Sequence, residues 1–249
     1  MMRQIGRAVR VTLGVTLAAG AFSACTDTDT TLFIMGTMNR EAPNCGVTAD
    51  PSSEMLGGGS LDLAFSTTYN AALLVGNQMT GRGSKAQLRT ETKRVNLQGA
   101  EVTLTDLAGR VIEPAFSVAG AGFADVSPSE TPGWGVVFVD LIPRTVGSEL
   151  ANELEASRSP RTIIAEARVF GTTIGGTEVE SGTFVFPIEV CYGCSVYFPL
   201  DAMTVDANGN FVCGANAEGF VYETCHPGQD EVVDCRACAA SSPDVCLSP

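Results

Sequence analysis

Two short cysteine motifs and one histidine are the residues of this 249-residue chain best suited to chemistry. Cys191-Tyr-Gly-Cys194 and Cys235-Arg-Ala-Cys238 share a C-x2-C spacing that serves three purposes. Two such pairs can place four thiolates tetrahedrally around zinc. One pair at a helix start in an α/β fold is a redox couple. In an oxidising compartment the same residues become disulfides. His226 is the only histidine, and a hydrolytic triad needs one as its base. It stands in Cys225-His226-Pro227-Gly228, a polar turn between cysteines, and reads as a solvated loop residue instead of a catalyst. Tyr222 occupies the position at which haem attachment before Cys225-His226 needs a second cysteine.

Other motifs fall short of a site. Asp206-x-Asn208-x-Asn210 has the opening of an EF-hand loop, but Phe211 fills the glycine position and Ala217 the closing glutamate position. Gly57-Gly58-Gly59 has no Lys-Ser/Thr partner and reads as a linker, not a phosphate cradle. Paired carboxylates would suit glycosidase-type chemistry, and 28 acids supply many pairs, yet no spacing selects one. The sequence therefore assigns no catalytic residue, no metal ligand and no cofactor.

The choice among the cysteine chemistries depends on where the chain is sent. Residues 1–24 carry Arg3, Arg7 and Arg10 and no acid, then 14 uncharged residues ending at Ala24. A helix crossing about 30 Å of hydrocarbon takes about 20 apolar residues, so this run is too short to span. A positive start, a short apolar stretch and small residues before a cut make an export signal. Phe22-Ser23-Ala24-Cys25 resembles the lipobox of bacterial lipoproteins, with Phe22 where that family usually has leucine or another aliphatic residue. The resemblance implies that Cys25 becomes the mature N-terminus and carries lipid, palmitate included. Two or more acyl chains hold a protein on a bilayer where one does not. Residues 25–30 are short and polar, as a tether would be. Thr26, where the enterobacterial sorting pattern has aspartate for retention, implies the outer membrane. The chain also resembles cysteine-tailed bacterial envelope lipoproteins, a likeness that implies an address and no activity.

Outside the cytoplasmic membrane oxidation prevails over zinc binding, so eight cysteines are disulfide candidates: Cys45, Cys191, Cys194, Cys213, Cys225, Cys235, Cys238 and Cys246. Seven of them lie in residues 191–249 and cannot pair among themselves. Full oxidation requires Cys45 to reach that tail.

Charge narrows the partners. The chain carries −13, and losing three arginines with the signal leaves −16 on 225 residues. Nucleic acid, whose binding depends on Lys and Arg against phosphate, is excluded as a partner, and an anionic lipid surface is disfavoured. The expected partners are the bilayer, through acylated Cys25, and an envelope protein or glycan.

From residue 31 to 190 the dominant period is two. Leu61, Leu63 and Phe65 oppose Asp62 and Ala64. Val102 and Leu104 oppose Glu101, Thr103 and Thr105. Ile163, Ala165, Ala167 and Val169 oppose Ile164, Glu166, Arg168 and Phe170. Phe184, Phe186, Ile188 and Val190 oppose Val185, Pro187 and Glu189. Leu32–Met35 and Trp134–Asp140 are further strands, and only Ser148–Ser157 reads as a helix, with Ser148 as cap. The expectation is an all-β, immunoglobulin-like antiparallel β-sandwich with Trp134 and the phenylalanines in its core, followed by a disulfide-rich tail. That tail has too few apolar residues for its own core, and Val205–Phe211 reads as a hairpin turning at Asn208-Gly209. If the first and last strands run parallel to one pole, Cys45 meets Cys191 or Cys194 there.

The function expected is a non-catalytic envelope lipoprotein whose sandwich binds a ligand or spaces other components. The alternative is an envelope hydrolase with a carboxylate-based site. A deep cleft with two close acids would favour the enzyme, and a flat apolar or aromatic patch the binding module.

Overall fold

The computed structural model describes residues 31–40, 42–81, 83, 90–127, 131–214, 221–238 and 243–246. The export segment, Cys25 and the tether at 25–30 lie outside the described residues. In chain order the elements are β1 (Leu32–Met38), β2 (Met55–Leu56), β3 (Gly59–Asp62), β4 (Tyr69–Asn77), β5 (Val95–Asp106), β6 (Val111–Ala124), β7 (Gly133–Ile142), α1 (Arg144–Ser157), β8 (Arg161–Thr173), β9 (Glu178–Glu180) and β10 (Phe184–Cys191). The tail adds β11 (Val196–Tyr197), β12 (Met203–Val205), β13 (Phe211–Cys213), β14 (Val233–Asp234) and the helical turns α2 (Cys235–Cys238) and α3 (Pro243–Cys246).

The fold is all-β with a disulfide-rich tail. One sheet runs β2-β1-β4-β7 and the other β3-β10-β8-β5-β6, with β9 on the far part of β8. Pairing is antiparallel except between β3 and β10 in the sheets and β11 and β14 in the tail. Alternation places the side chains as the period-two reading requires: Val102 and Leu104 of β5, Ile163, Ala165, Ala167 and Val169 of β8 and Phe186, Ile188 and Val190 of β10 point into the shared core. The facing sheet supplies Leu73 and Val75 of β4 and Val137 and Val139 of β7. Leu150 and Leu154 of α1 close one end. The helix starts a turn earlier than expected, after Pro143, so Ser148 lies inside it and does not cap it.

Three features depart from the sequence expectation. β4 is buried on both faces, with Ala72 and Leu74 packed outward beneath Val47, Met55 and Trp134. Trp134 thus belongs to a second cluster outside the sandwich core, and of the phenylalanines among the described residues only Phe186 is fully buried. At the other edge β6 crosses β7 closely enough for Asp125 N–H to donate to Trp134 O at 3.3 Å. A Cβ on Gly122 or Gly135 would strike the backbone carbonyl of Val136 or Phe123 respectively, so the approach needs glycine on both strands.

The tail is held by Cys213–Cys235 and Cys238–Cys246 over two small apolar clusters. The Val205–Phe211 hairpin forms as expected, with Gly209 at φ 86°. Asp206 accepts the N–H groups of Asn208 and Asn210 at 2.8 Å each. Those bonds, the one from Asn210 N–H foremost, hold its carboxyl below the usual range, so the EF-hand-like triplet is spent on a turn. No helix among the described residues is long and apolar enough to cross a membrane.

Candidate functional site

The C-x2-C question is answered by Cys191–Cys194, which form a disulfide with each other. Cys235 and Cys238 pair elsewhere, so the four-thiolate arrangement does not exist. Cys45 does join the tail, but at Cys225. This corrects the expected bond to Cys191 or Cys194. The reason is topological: β1 and β10 lie in different sheets, and the parallel bridge from Leu32 of β1 reaches Ser181, three residues before β10. Beyond β1 the chain turns across the outer face of its own sheet and carries Cys45 to the start of β4, where the 225–230 loop arrives.

Asp62 stands behind the Cys191–Cys194 turn. Alternation placed it on a solvated face, yet it is 1% exposed. β3 is flanked by β10 on one edge and by the tail at Gly228 and Gln229 on the other, which covers both sides. Asp62 Oδ1 accepts Gly193 N–H at 2.6 Å and Ala64 N–H at 3.0 Å. Its Oδ2 accepts Ser195 N–H and Oγ, each at 2.8 Å. Gly193 sits at φ 76°, where a side chain is strained and a Cβ would press on Val245 at 2.8 Å. One buried carboxylate thus fixes the turn from behind.

A polar cluster around His226 joins the sandwich to the tail. Gln229 lays its amide against the backbone of Asn70, accepting N–H and donating to O, each at 2.9 Å. It replaces the strand that β1 no longer supplies past Met38. Asn70 Nδ2 donates to Asp140 at 2.7 Å, and Arg40 donates to Asn70 Oδ1 at 2.8 Å. Tyr69 hydroxyl donates to Asp230 Oδ2 and Ser60 N–H to Asp230 Oδ1, both at 2.8 Å. Burial pushes the Asp230 carboxyl up, against the pull of these donors, and pushes the Tyr69 hydroxyl up as well. Arg40 also meets His226 Nε2 and stacks over Phe138 at 5.2 Å.

His226 is therefore half-buried and partnered, which corrects its reading as a solvated loop residue. Burial first, then the Arg40 charge, hold its imidazole below the ordinary value. The nitrogen that would act as a base is occupied by a guanidinium. Glu231 accepts the N–H groups of Cys225 at 2.9 Å and His226 at 3.3 Å, which fixes the loop. The hollow among these residues measures about 10 Å³, room for one water and for no substrate. Its chemistry is cohesion.

Wide, open hollows lie elsewhere, and two of them bring acids together. One of about 800 Å³ borders β9 and is lined by Thr31, Gln98, Phe170, Thr177, Glu178 and Glu180. Both acids are exposed on an edge strand, and Glu180 pairs with Arg168 at 3.4 Å. The other, about 570 Å³, lies by Asp106, Arg110, Arg161 and Glu189, with Asp106 and Arg110 paired at 2.7 Å. Neither buries a carboxylate pair.

The sequence singled out the cysteines but not Asp62, Arg40, Asn70, Gln229 or Asp230. Their long-range partners lie 30 to 186 residues away, and the one local hint was an acid inside the apolar run Leu61–Phe65. Searches against protein-family models and against curated proteins find no match to this chain.

Proposed function

We propose that this chain is a non-catalytic lipoprotein of the cell envelope, anchored through acylated Cys25 and presenting its sandwich as a binding or structural module. The observation that carries the non-catalytic reading is the state of the sole histidine, with Arg40 on Nε2 in a hollow of about 10 Å³. Acyl-transfer hydrolysis needs that nitrogen free to take a proton from a nucleophile. The acids around it are bound to structural donors, so a carboxylate mechanism finds no pair there either. The open groove beside β9, with Phe170 among amide, hydroxyl and carboxylate groups, suits contact with a protein segment or a glycan better than enclosure of a reacting bond.

The anchor is tested by expressing the full chain and Cys25→Ser in an envelope-bearing bacterium. The parent should partition into detergent and sediment with membranes, outer membranes in particular. The variant should move to the soluble exported fraction. A variant that stays wholly membrane-bound rejects the lipid anchor. Turnover of glycoside or ester substrates by the purified chain, lost on Glu178→Gln or Glu180→Gln, would establish the hydrolase instead.

A further inference from the structure

We propose that the Cys191–Cys194 turn is a redox-gated metal site: once reduced, its two thiolates and the Asp62 carboxylate hold one divalent cation of zinc-like preference. Among the described residues these three form the one group whose ligating atoms all lie within 4.8 Å of one another. The proposal is independent of the anchor and of any ligand of the sandwich.

Access comes first. Cys194 is exposed while Cys191 is 2% exposed, so an incoming thiolate reaches the Cys194 sulfur. An external dithiol attacks there, breaks the S–S bond and releases Cys191 as thiolate. Its second thiol then displaces Cys194, so the dithiol is oxidised by two electrons to a disulfide and the protein pair is reduced. This bond also constrains the chain least, because its cysteines are 3 apart in sequence against 180 for Cys45–Cys225. The turn does not depend on it. Asp62 holds the N–H groups of Gly193 and Ser195, and Arg158 stacks over Tyr192 at 4.7 Å, so the geometry persists when the sulfurs part.

Reduction then places two thiols beside one carboxylate. Asp62 is buried, and the cation beside the turn, Arg158, is committed to the Tyr192 ring and to Asp244 at 3.6 Å. Two thiolates and a carboxylate suit a borderline-soft cation and leave its fourth tetrahedral position to water. The four lone-pair sites of Asp62 are filled by four donors, of which the Ser195 hydroxyl alone can rotate away and free Oδ2. Binding the cation releases the two thiol protons to solvent. The ligand set is then completed by a buried aspartate from β3 and not by the second C-x2-C, whose cysteines are bonded elsewhere.

The test uses the intact oxidised chain, a dithiol titration mapped by alkylation and mass spectrometry, and cobalt(II) as the spectroscopic probe. Cys191 and Cys194 should be labelled first, with the other three disulfides closed and the circular dichroism unchanged. The partly reduced chain should then take up one cobalt with thiolate charge-transfer and tetrahedral d–d bands, which zinc displaces and the oxidised chain lacks. Asp62→Asn should weaken cobalt binding at least about tenfold. If that variant misfolds, Cys194→Ser, which leaves Asp62 and its backbone bonds in place, should abolish the bands. Opening of another disulfide first, a reduced pair that binds no stoichiometric cobalt, or equal uptake by the oxidised chain overturns the proposal.

Discussion

Tyr69 and His226 show how single residues divide the work where sandwich meets tail. Tyr69 is fully buried, its ring 5.9 Å from Phe186, and only its hydroxyl leaves the core to reach Asp230. Tyr69→Phe keeps the packing and removes one hydrogen bond to a half-buried acid. The expected loss is about 1.5–3 kcal/mol in chemical denaturation, without change in the disulfides. His226 carries a pH dependence. Its folded pKa lies below the ordinary 6.5, so the unfolded chain takes the proton more readily. Its contribution is complete above that value and is lost as pH falls from there through the lower folded value. Asp230, pushed up by burial, works the other way nearer the carboxylate range, and Arg40 and Glu231 face the same ring. Denaturation midpoints should therefore fall more between pH 7 and 5.5 for the parent than for His226→Gln, whose amide oxygen can still accept from Arg40. Equal slopes would remove the histidine from the account. None of this was legible locally. Counting one histidine was enough to doubt a triad, but Asp62 was placed outward by alternation because nothing near it announces that the tail returns to cover β3.

At the scale of elements, period two located β5, β7, β8 and β10 because each buries one face and shows the other to water. It failed for β4, whose Ala71–Val75 run is apolar throughout because the segment after β1 covers its outer face. A short run buried on both sides has no alternation to read. It failed for β6 for the opposite reason, since Ala115, Ser117, Ala119 and Ala121 are small and mostly exposed and Pro114 interrupts the pattern. The glycines there, Gly120 and Gly122, signal the approach to β7 and not a loop. The crossing makes a sharp prediction. Gly122→Ala or Gly135→Ala forces a methyl onto a backbone carbonyl and should cost about 2 kcal/mol or more. Gly57→Ala, where nothing lies within 4 Å, should be close to neutral. Melting temperatures of the three variants decide it, and equal values would mean that β6 and β7 separate without cost.

Across the whole molecule, the parity of the cysteines proved more informative than the strand order. Seven in the tail and one just after β1 required a long closure, and Cys45–Cys225 closes it across 180 residues. Its partner could not be read from sequence, because that depended on β1 and β10 sharing a pole, and the sheets separate them. The bond fastens the segment covering Ala72 and Leu74 to the loop bearing His226, Gln229 and Asp230, so two coverings of the sandwich hold each other. On the chain-entropy model a closure this long is worth about 5 kcal/mol, against about 2 for the four-residue Cys191–Cys194 ring. Replacing both partners by alanine avoids leaving a stray thiol. Cys45→Ala with Cys225→Ala should lower stability by more than twice the loss from Cys191→Ala with Cys194→Ala. Hydrogen exchange should also rise in residues 42–54 and leave β5 and β8 protected, because their core does not pass through that segment. A uniform rise over both sheets would show that the covering segment and the sandwich unfold as one unit.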